Sequence, residues 1–479
     1  MADQVKSITK KSKDISGWYN DVVERAQLVE HGPVKGTMIW KPRGFALWEE
    51  IQKNLDVKIK DLGAKAVYFP LFIPESFLKK EKEHIKGFSP QLAVVTHAGG
   101  EKLKEPIVVR PTSETVMYEA FSRWIQSWRD LPLIINQWAN VVRWEMRPYY
   151  FLRTTEFLWQ EGHTAHATNE EAQVMAEMAL KMYVDFYQKV LGLYGYAGRK
   201  SESEKFPGAD TTLTYEILMP DGKVVQGCTS HNLGQNFSKV FKVDYQDEKG
   251  QKQLVYQTSW GLSSRSIGAM ILMHGDDNGL VLPPMLAPHQ VVIIPIITKS
   301  SDKEKIRNLA DKAFEILEIN NVRVKLDDSD QSPGWKFNQY DLEGVPIRIE
   351  IGSTEAKDNR FRIVRRDNKH SFDIHVNALG AEVSNLLKEI QIEMLDNSRD
   401  FTYKNTRQAD TYSDFKKIMS SKRGFIEAFW CEAESCETAI KQETKATTRC
   451  LPLDAIEANG ECIYCGKRAK FRWLFGQSY

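Results

Sequence analysis

The stretch PLIINQWANVVRWEMRPYYFLRTTEFLWQEGHTAH, from Pro132 to His166, gathers the most chemistry in this chain of 479 residues. Arg143 closes an apolar run and opens a basic, aromatic loop, and the return segment carries Glu145, Arg153, Phe157, Glu161 and His163. Two antiparallel strands joined by that loop would set these groups around one sheet surface. They would offer a guanidinium for phosphate, an aromatic face for a base and carboxylates for an amine. That is a nucleotide site without a glycine-rich loop. In EPIVVRPTSETVMYEAFSRWIQSW, Thr112, Ser113 and Glu114 stand between a β-rich run and a helix. They serve equally well as a helix start, with a hydroxyl cap and an acid in the first turn. In QTSWGLSSRSIGAMILMHGDDNG, Arg265 sits where strand turns to helix, with Ile267, Met270 and Ile271 beneath it and Gly261 and Gly268 permitting close backbone approach. YEILMPDGKVVQGCTSHNLGQ reads as a hairpin turning at Pro220, Asp221 and Gly222. Its second strand alternates Gln226, Cys228 and Ser230 with Gly227, Thr229 and His231, so Cys228 and His231 point apart and make no thiol hydrolase.

The elements that must hold these groups are read from periodicity. Residues 1 to about 35 form a helical lead-in. Pro42 precedes a helix whose Leu47, Trp48, Ile51, Leu55, Ile59 and Leu62 share one face. AVYFPLFIP, Ala66 to Pro74, is a buried strand, followed by a Lys/Glu-rich patch. Thr168 and Glu171 box the start of a scaffold helix with Val174, Met178, Met182 and Tyr183 inward. LPPMLAPHQ is a proline-rich junction, and beyond it VVIIPI, a helix with Ile306, Leu309, Ala313 and Ile316 on one side, and VRVKLDD make a βαβ unit with a parallel sheet. VPIRIEIG continues that sheet, with Val345, Ile347, Ile349 and Ile351 on one face and Arg348 and Glu350 on the other.

After Ser398 the composition turns charged, and five of the six cysteines lie there. Cys431 and Cys436 form CX4C, and Cys462 and Cys465 form CX2C, as in tetrahedral thiolate zinc sites. Four thiolates close the shell, so the metal is expected to be structural, with Cys450 a spare thiol. The net charge of +1 leaves any nucleic-acid partner to local basic patches. No run is apolar and long enough for a signal peptide or a membrane span, which reads as a cytoplasmic protein.

The words V-V-R-W-E, F-L-R-T and E-F-L-W-Q-E-G-H-T resemble motif 2 of class II aminoacyl-tRNA synthetases, and in detail those of the prolyl-tRNA synthetase family. The strand, proline and helix around Pro42 resemble motif 1, which in that family makes a homodimer interface, and the Arg265 segment resembles motif 3. R-P-T-S-E matches the family's substrate-holding threonine and glutamate, while SPGWKF and EGVPIRIEIG resemble its anticodon-binding domain. The resemblance implies an α/β and α+β multidomain chain. It would comprise an antiparallel-sheet class II catalytic domain over 1–283, an α/β anticodon-binding domain over 284–398 and a small zinc-binding α+β domain over 399–479. About ninety residues between His166 and the motif 3 word leave no room for the large editing insertion of bacterial-type members, so the chain is similar to the archaeal and eukaryotic type.

By the same resemblance, ATP and its Mg2+ fall to Arg143, Glu145, Arg153, Thr154, Phe157, Gln226, Thr229, Ser263 and Arg265, with Arg143 on the α-phosphate and Arg265 on the γ end. L-Proline falls to Thr112, Glu114, Arg143, Phe157, Trp159, Glu161, His163 and His231. Lys336, Arg348 and Glu350 are anticodon candidates for a tRNA(Pro) partner, each equally readable as part of a solvated salt bridge. A terminal tyrosine reaches toward the active site in the family, which makes Tyr479 a candidate. The implied activity is ligation of proline to tRNA through prolyl-adenylate. One rival is a synthetase-like RNA-binding or regulatory protein that lost catalysis, disfavoured by retention of Arg143, Glu145 and Arg265 together. The other is a threonyl enzyme, whose catalytic zinc needs a Cys and His setting that Cys228 lacks.

Overall fold

The computed structural model describes residues 8–80 and 91–479; residues 1–7 of the polar lead-in and 81–90 of the Lys/Glu-rich patch lie outside it. Among the described residues, the lead-in is helical only over Ile15–Arg25, started by the Asp14 carboxylate accepting from the N–H groups of Ser16 and Gly17. A hairpin of Val29–His31 and Met38–Trp40 follows in place of further helix. Pro42 occupies the first turn of the helix Pro42–Asp61, where its missing N–H costs nothing. Leu47, Trp48, Ile51, Leu55 and Ile59 are buried there, and Trp48 meets Trp138 edge-on at 5.5 Å, which docks the helix on the strand Leu133–Val142.

An eleven-stranded sheet organises the molecule. Its order is Thr406–Gln408, Phe425–Phe429, Arg472–Ser478, Ala446–Pro452, Tyr196–Arg199, Thr211–Leu218, Lys223–Gly234, Tyr256–Ser263, Glu156–His166, Leu133–Val142 and Lys65–Ala66. The central strands are antiparallel, and the helix Asn169–Lys189 covers one face. That helix has the expected Thr168 and Glu171 box, but its inward face is rotated. Ala172, Ala176 and Ala179 are buried with Met182 and Tyr183, whereas Val174 and Met178 are exposed. Ala172, Ala176 and Ala179 let the helix sit close on the sheet, flanked by buried Met175, Leu180 and Phe186, which leaves Val174 and Met178 on the outer face.

The expected buried strand from Ala66 to Pro74 is instead two short pieces. Lys65–Ala66 pairs at the sheet edge, and Phe72–Pro74 joins a separate three-stranded sheet with Glu101–Val109 and Ala93–Ala98. Pro70 lacks a donor and splits the run, leaving Tyr68 and Phe72 exposed.

The second sheet has the order Val324–Leu326, Val291–Pro295, Ile347–Ile351, Arg360–Arg365 and Ser371–His375. Only its first three strands are parallel; the last two run antiparallel, so the sheet is mixed. The proline-rich junction is packed, with Leu286 and Ala287 fully buried and the Arg323 guanidinium donating to the carbonyls of Pro284, Met285 and Ala287. The helix Leu379–Lys404 runs unbroken through the expected division at 398. Past it, the tail extends the catalytic sheet. Ala446–Pro452 pairs with Tyr196–Arg199, and Arg472–Ser478 runs parallel to Lys223–Gly234. Among the described residues, no helix is long and apolar enough to cross a membrane.

Candidate active site

Leu133–Val142 and Glu156–His166 pair in the register Gln137 to Glu161 and Val141 to Phe157. Period-two alternation then sends Phe157, Trp159, Glu161 and His163 to one face. All four line a cavity of about 250 Å³ together with Thr112, Glu114, Arg143, Gln226, Thr229, His231, Ser263 and Arg265. A smaller adjoining cavity of about 190 Å³ is lined by Arg143, Glu145, Arg153, Thr154, Phe157, Ser263 and Arg265. Every residue expected for ATP and proline therefore borders one of two adjacent hollows that share Arg143, Phe157, Ser263 and Arg265.

Arg143 follows the strand directly. Its N–H donates to Thr155 O at 2.8 Å and its Nε to Pro111 O at 2.9 Å, which aims the guanidinium at the rings of Phe157 and Trp159, each 5.6 Å away. Burial brings its pKa down to about 10, opposed by Glu114 and Glu161 and reinforced by the Arg265 cation. Arg265 opens the helix Arg265–His274 and donates from Nε to Leu152 O at 3.0 Å and from Nη1 to Gln226 O at 3.5 Å. Burial lowers its pKa as well. Two like charges held in one hollow favour a polyanion between them. Arg153 is tethered through Nε to Arg147 O at 2.8 Å and lies 3.8 Å from Glu145. Thr154 Oγ1 and Trp159 Nε1 are buried without a hydrogen-bond partner among the described residues, as suits walls that meet a polar ligand.

Strict alternation on Lys223–Gly234 would turn Gln226 away from Thr229. The register instead shifts between Tyr215 and Glu216, where Cys228 and Gln226 are successive partners and Gly227 is the extra residue. A Cβ on Gly227 would lie 2.8 Å from the Tyr187 ring, so glycine lets the bulge press on the covering helix. Gln226, Thr229 and His231 all reach the cavity in consequence. Cys228 is buried near Tyr183 and Tyr187, and burial pushes its thiol pKa up, which leaves it inert.

At the other end, the Thr112 and Ser113 hydroxyls do not cap the helix Glu114–Trp124. Thr112 donates to Glu114 and Ser113 to Glu161. Glu161 also accepts from Gln137 Nε2 and, at 2.9 Å, from His163 Nε2, whose Nδ1 lies 3.2 Å from the Tyr118 hydroxyl. Burial works against charge on His163, but the bond to Glu161 and the charges of Glu161 and Glu114 outweigh it, so its pKa is raised. His231 is bonded to Thr212 at 2.9 Å and stacked on Phe206 at 4.5 Å; burial brings its pKa down to about 3 and keeps it neutral. Ser113, Gln137, Tyr118, Thr212 and Phe206 are the site residues that sequence reading missed. Gln137 and Thr212 could have been found from hairpin register opposite Glu161 and His231; Phe206, on a loop, carried no such signal.

The sulfurs of Cys431, Cys436, Cys462 and Cys465 lie within 4.8 Å of one another, with Cys431 at 3.7 Å from both Cys436 and Cys465. A tetrahedron with zinc–sulfur arms of 2.3 Å has edges of about 3.8 Å, so this donor set fits zinc. Cys450 is buried and stands apart from the four. In the second sheet, Arg348 pairs with Asp341 at 3.0 Å and Glu350 at 2.9 Å and lies over the Phe337 ring. Lys336 departs from the expectation of an exposed contact. It is 3% exposed, and its ammonium is taken by Asp327 O at 2.9 Å and Asp327 Oδ1 at 3.3 Å. Tyr479 stacks 6.2 Å from Tyr149, on the Arg143 loop, with Lys223 Nζ 4.7 Å from its ring; it borders neither cavity.

Three family models match in succession: "tRNA synthetase class II core domain (G, H, P, S and T)" over 97–274, "Anticodon binding domain" over 290–386 and "Prolyl-tRNA synthetase, C-terminal" over 412–479. A proline--tRNA ligase of Ruminiclostridium cellulolyticum is 48% identical over 475 residues, covering 99% of this chain and 98% of the relative. Proline--tRNA ligase 2 of Bacillus cereus is 48% identical over 479 residues, covering 100% and 99%. The prolyl-tRNA synthetase of Cryptosporidium parvum, solved with halofuginone and AMPPNP, superposes with a TM-score of 0.95 at 43% identity and 99% coverage of both chains. Solved with L-proline and AMP, it gives 0.94 at 41% identity, covering 100% of this chain and 98% of that one. With a class II core, an anticodon-binding region and the prolyl C-terminal segment in one continuous match, the chain belongs to the prolyl-tRNA synthetase family of class II proline--tRNA ligases.

Proposed function

We infer that this enzyme joins L-proline to tRNA(Pro) in two steps, with prolyl-adenylate between them and AMP and diphosphate released. The observation that carries the reading is the meeting of Arg143 and Arg265 in one cavity whose other end holds Glu114, Glu161 and neutral His231. In the first step a proline carboxylate oxygen attacks the α-phosphorus and diphosphate leaves. Arg143 offsets charge at the α-phosphate and Arg265 at the γ end, while Arg153 and Thr154 close the loop. Glu145 accepts from the adenine amino group, Phe157 stacks on the base, and Ser263, Gln226 and Thr229 line the phosphates. Gln226 and Thr229 would hold the magnesium that accompanies ATP, which would supply charge screening at the phosphates.

The prolyl ring packs against Trp159, Phe157 and His231. Its secondary ammonium is held by Glu114 and Thr112, with Glu161 and His163 behind them. Transfer follows when the terminal ribose hydroxyl of tRNA attacks the acyl carbon, and an adenylate phosphate oxygen takes the proton. Residues 1–283 carry this chemistry. Arg348 and Glu350, in 284–398, face the anticodon, and 399–479 holds a structural zinc on its four cysteines. Exposed Ile39, Phe45 and Val57, on and beside the helix Pro42–Asp61, supply apolar surface for a homodimer, which light scattering would detect. We read the enzyme as acting on tRNA in the cytoplasm. Proline-dependent exchange of diphosphate into ATP tests the whole reading: exchange with proline supports it, and exchange driven by threonine, or none, would sink it.

A further inference from the structure

Three charged side chains with no part in the chemistry above meet at the phosphate end. Glu216 is fully buried, and its Oε1 accepts from Lys200 Nζ and Thr214 Oγ1, each at 2.7 Å. Its Oε2 accepts two N–H groups of Arg449, Nε at 2.9 Å and Nη2 at 2.6 Å. Lys200 and Arg449 are themselves 3% and 5% exposed. Burial lowers the Lys200 pKa and the bond to Glu216 works against that; with Lys200 protonated, two cations share one carboxylate and the buried cluster carries a surplus positive charge, an arrangement that costs stability unless an anion answers it.

The register locates this surplus. Thr212, Thr214 and Glu216 lie opposite His231, Thr229 and Gln226. Residues two apart on a strand share a face, and the Thr212 bond to His231 marks that face as the cavity side. Glu216 is thus one strand out from Gln226, whose carbonyl accepts from Arg265. Burial is the first cause of the lowered Arg265 pKa; Tyr187 opposes it, Arg449 is the leading cation that adds to it, and Glu216 acts against Arg449. Arg449 comes from the C-terminal tail, at a bulge between Thr448 and Cys450.

We propose that Arg449 is a positioning residue for adenylate formation, keeping a net positive charge behind Gln226 and Arg265 that draws the polyphosphate into place and favours departing diphosphate. This rests on the adenylate-forming reading above. The tail then takes part in nucleotide binding as well as closing the sheet.

A charge series separates this from simple scaffolding. Arg449→Met leaves the cluster neutral, as does Lys200→Met, while Arg449→Lys and the double variant Lys200→Met/Glu216→Gln, which keeps the permanently charged Arg449 alone, hold one surplus charge. In proline-dependent exchange, R449M is expected to raise the KM for ATP about tenfold and to change the KM for proline less than about twofold. K200M raises the ATP value in the same way, and R449K and the double variant keep it near that of the unaltered protein. The proposal is overturned if the double variant binds ATP as poorly as R449M, or if the values track thermal midpoints in place of net charge. Should R449M fail to fold, K200M and the double variant decide, since equal KM values for ATP in those two refute the proposal. Absence of exchange in the unaltered protein would remove the adenylate reading itself, and the proposal with it.

Discussion

Two pairs of arginines keep different company: Arg365 and Arg366 are buried at the second sheet, and Arg143 and Arg265 are half-buried on the cavity wall. In the second sheet Arg365 lies between Asp367, Glu393 and Glu389, and Arg366 makes two bonds to Asp276 across the junction. Burial pulls the Arg365 pKa down, yet Asp367 and Glu393 outweigh it and the net shift is upward. In the substrate cavity burial prevails and both Arg143 and Arg265 are shifted downward. Cations already answered by carboxylates hold parts together. Arg143 and Arg265, aimed by backbone carbonyls, share one cavity, and two like charges there favour an anion between them even with Glu114 and Glu161 close to Arg143.

The sharpest way to break this contrast is to remove one arginine from each region. Arg143→Ala should cut proline-dependent exchange by about a thousandfold or more with tRNA affinity mostly intact, whereas Arg365→Ala should lower the thermal midpoint and leave exchange within about twofold. Equal losses in both assays for both variants would erase the distinction.

The thiolate cluster belongs with the closed, structural class. Cys436→Ala should remove about one zinc per chain by elemental analysis and lower the thermal midpoint, with the KM for proline little changed in whatever protein stays folded. Next in size, Asp276→Asn leaves Arg366, 2% exposed, without its charge partner, and should cost about 2–3 kcal/mol in urea unfolding while exchange persists.

A pH titration probes the intermediate case. Burial would raise the Glu216 pKa, but Arg449 and Lys200 prevail and bring it down from 4.5 to about 2. A carboxyl more acidic in the folded chain stabilises it above the unfolded value, so this contribution is whole above 4.5 and is lost as pH falls toward about 2. Unfolding curves of E216Q should lack that part of the acid sensitivity. The smallest effect is expected from Arg348→Ala, a change of about threefold in tRNA affinity by filter binding with exchange untouched.

The site was more legible than its frame. Arg143, Phe157, Glu161 and His163 sit two residues apart or at a strand end, so local alternation was enough to put them on one surface. Gln226 would have been sent to the wrong side by that same rule, because a bulge depends on how the neighbouring strand is filled. Val174 and Met178 were misread because size was weighed and the closeness allowed by Ala172, Ala176 and Ala179 was not. The pairing of Ala446–Pro452 with Tyr196–Arg199 joins segments far apart in the chain, and no local pattern announces it. Lys336 looked available because its partner Asp327 lies on a different element.

The tail strands also bear on how the protein is made. Tyr196–Arg199 and the start of Lys223–Gly234 each pair with Thr211–Leu218, and each gains a further neighbour from the tail strands. A ribosome emitting this polypeptide therefore exposes a sticky β-edge through most of synthesis, and only the last few dozen residues seal it. A product ending before Ala446 would keep the cavity-lining residues, lose Arg449 and carry an open seam prone to aggregation.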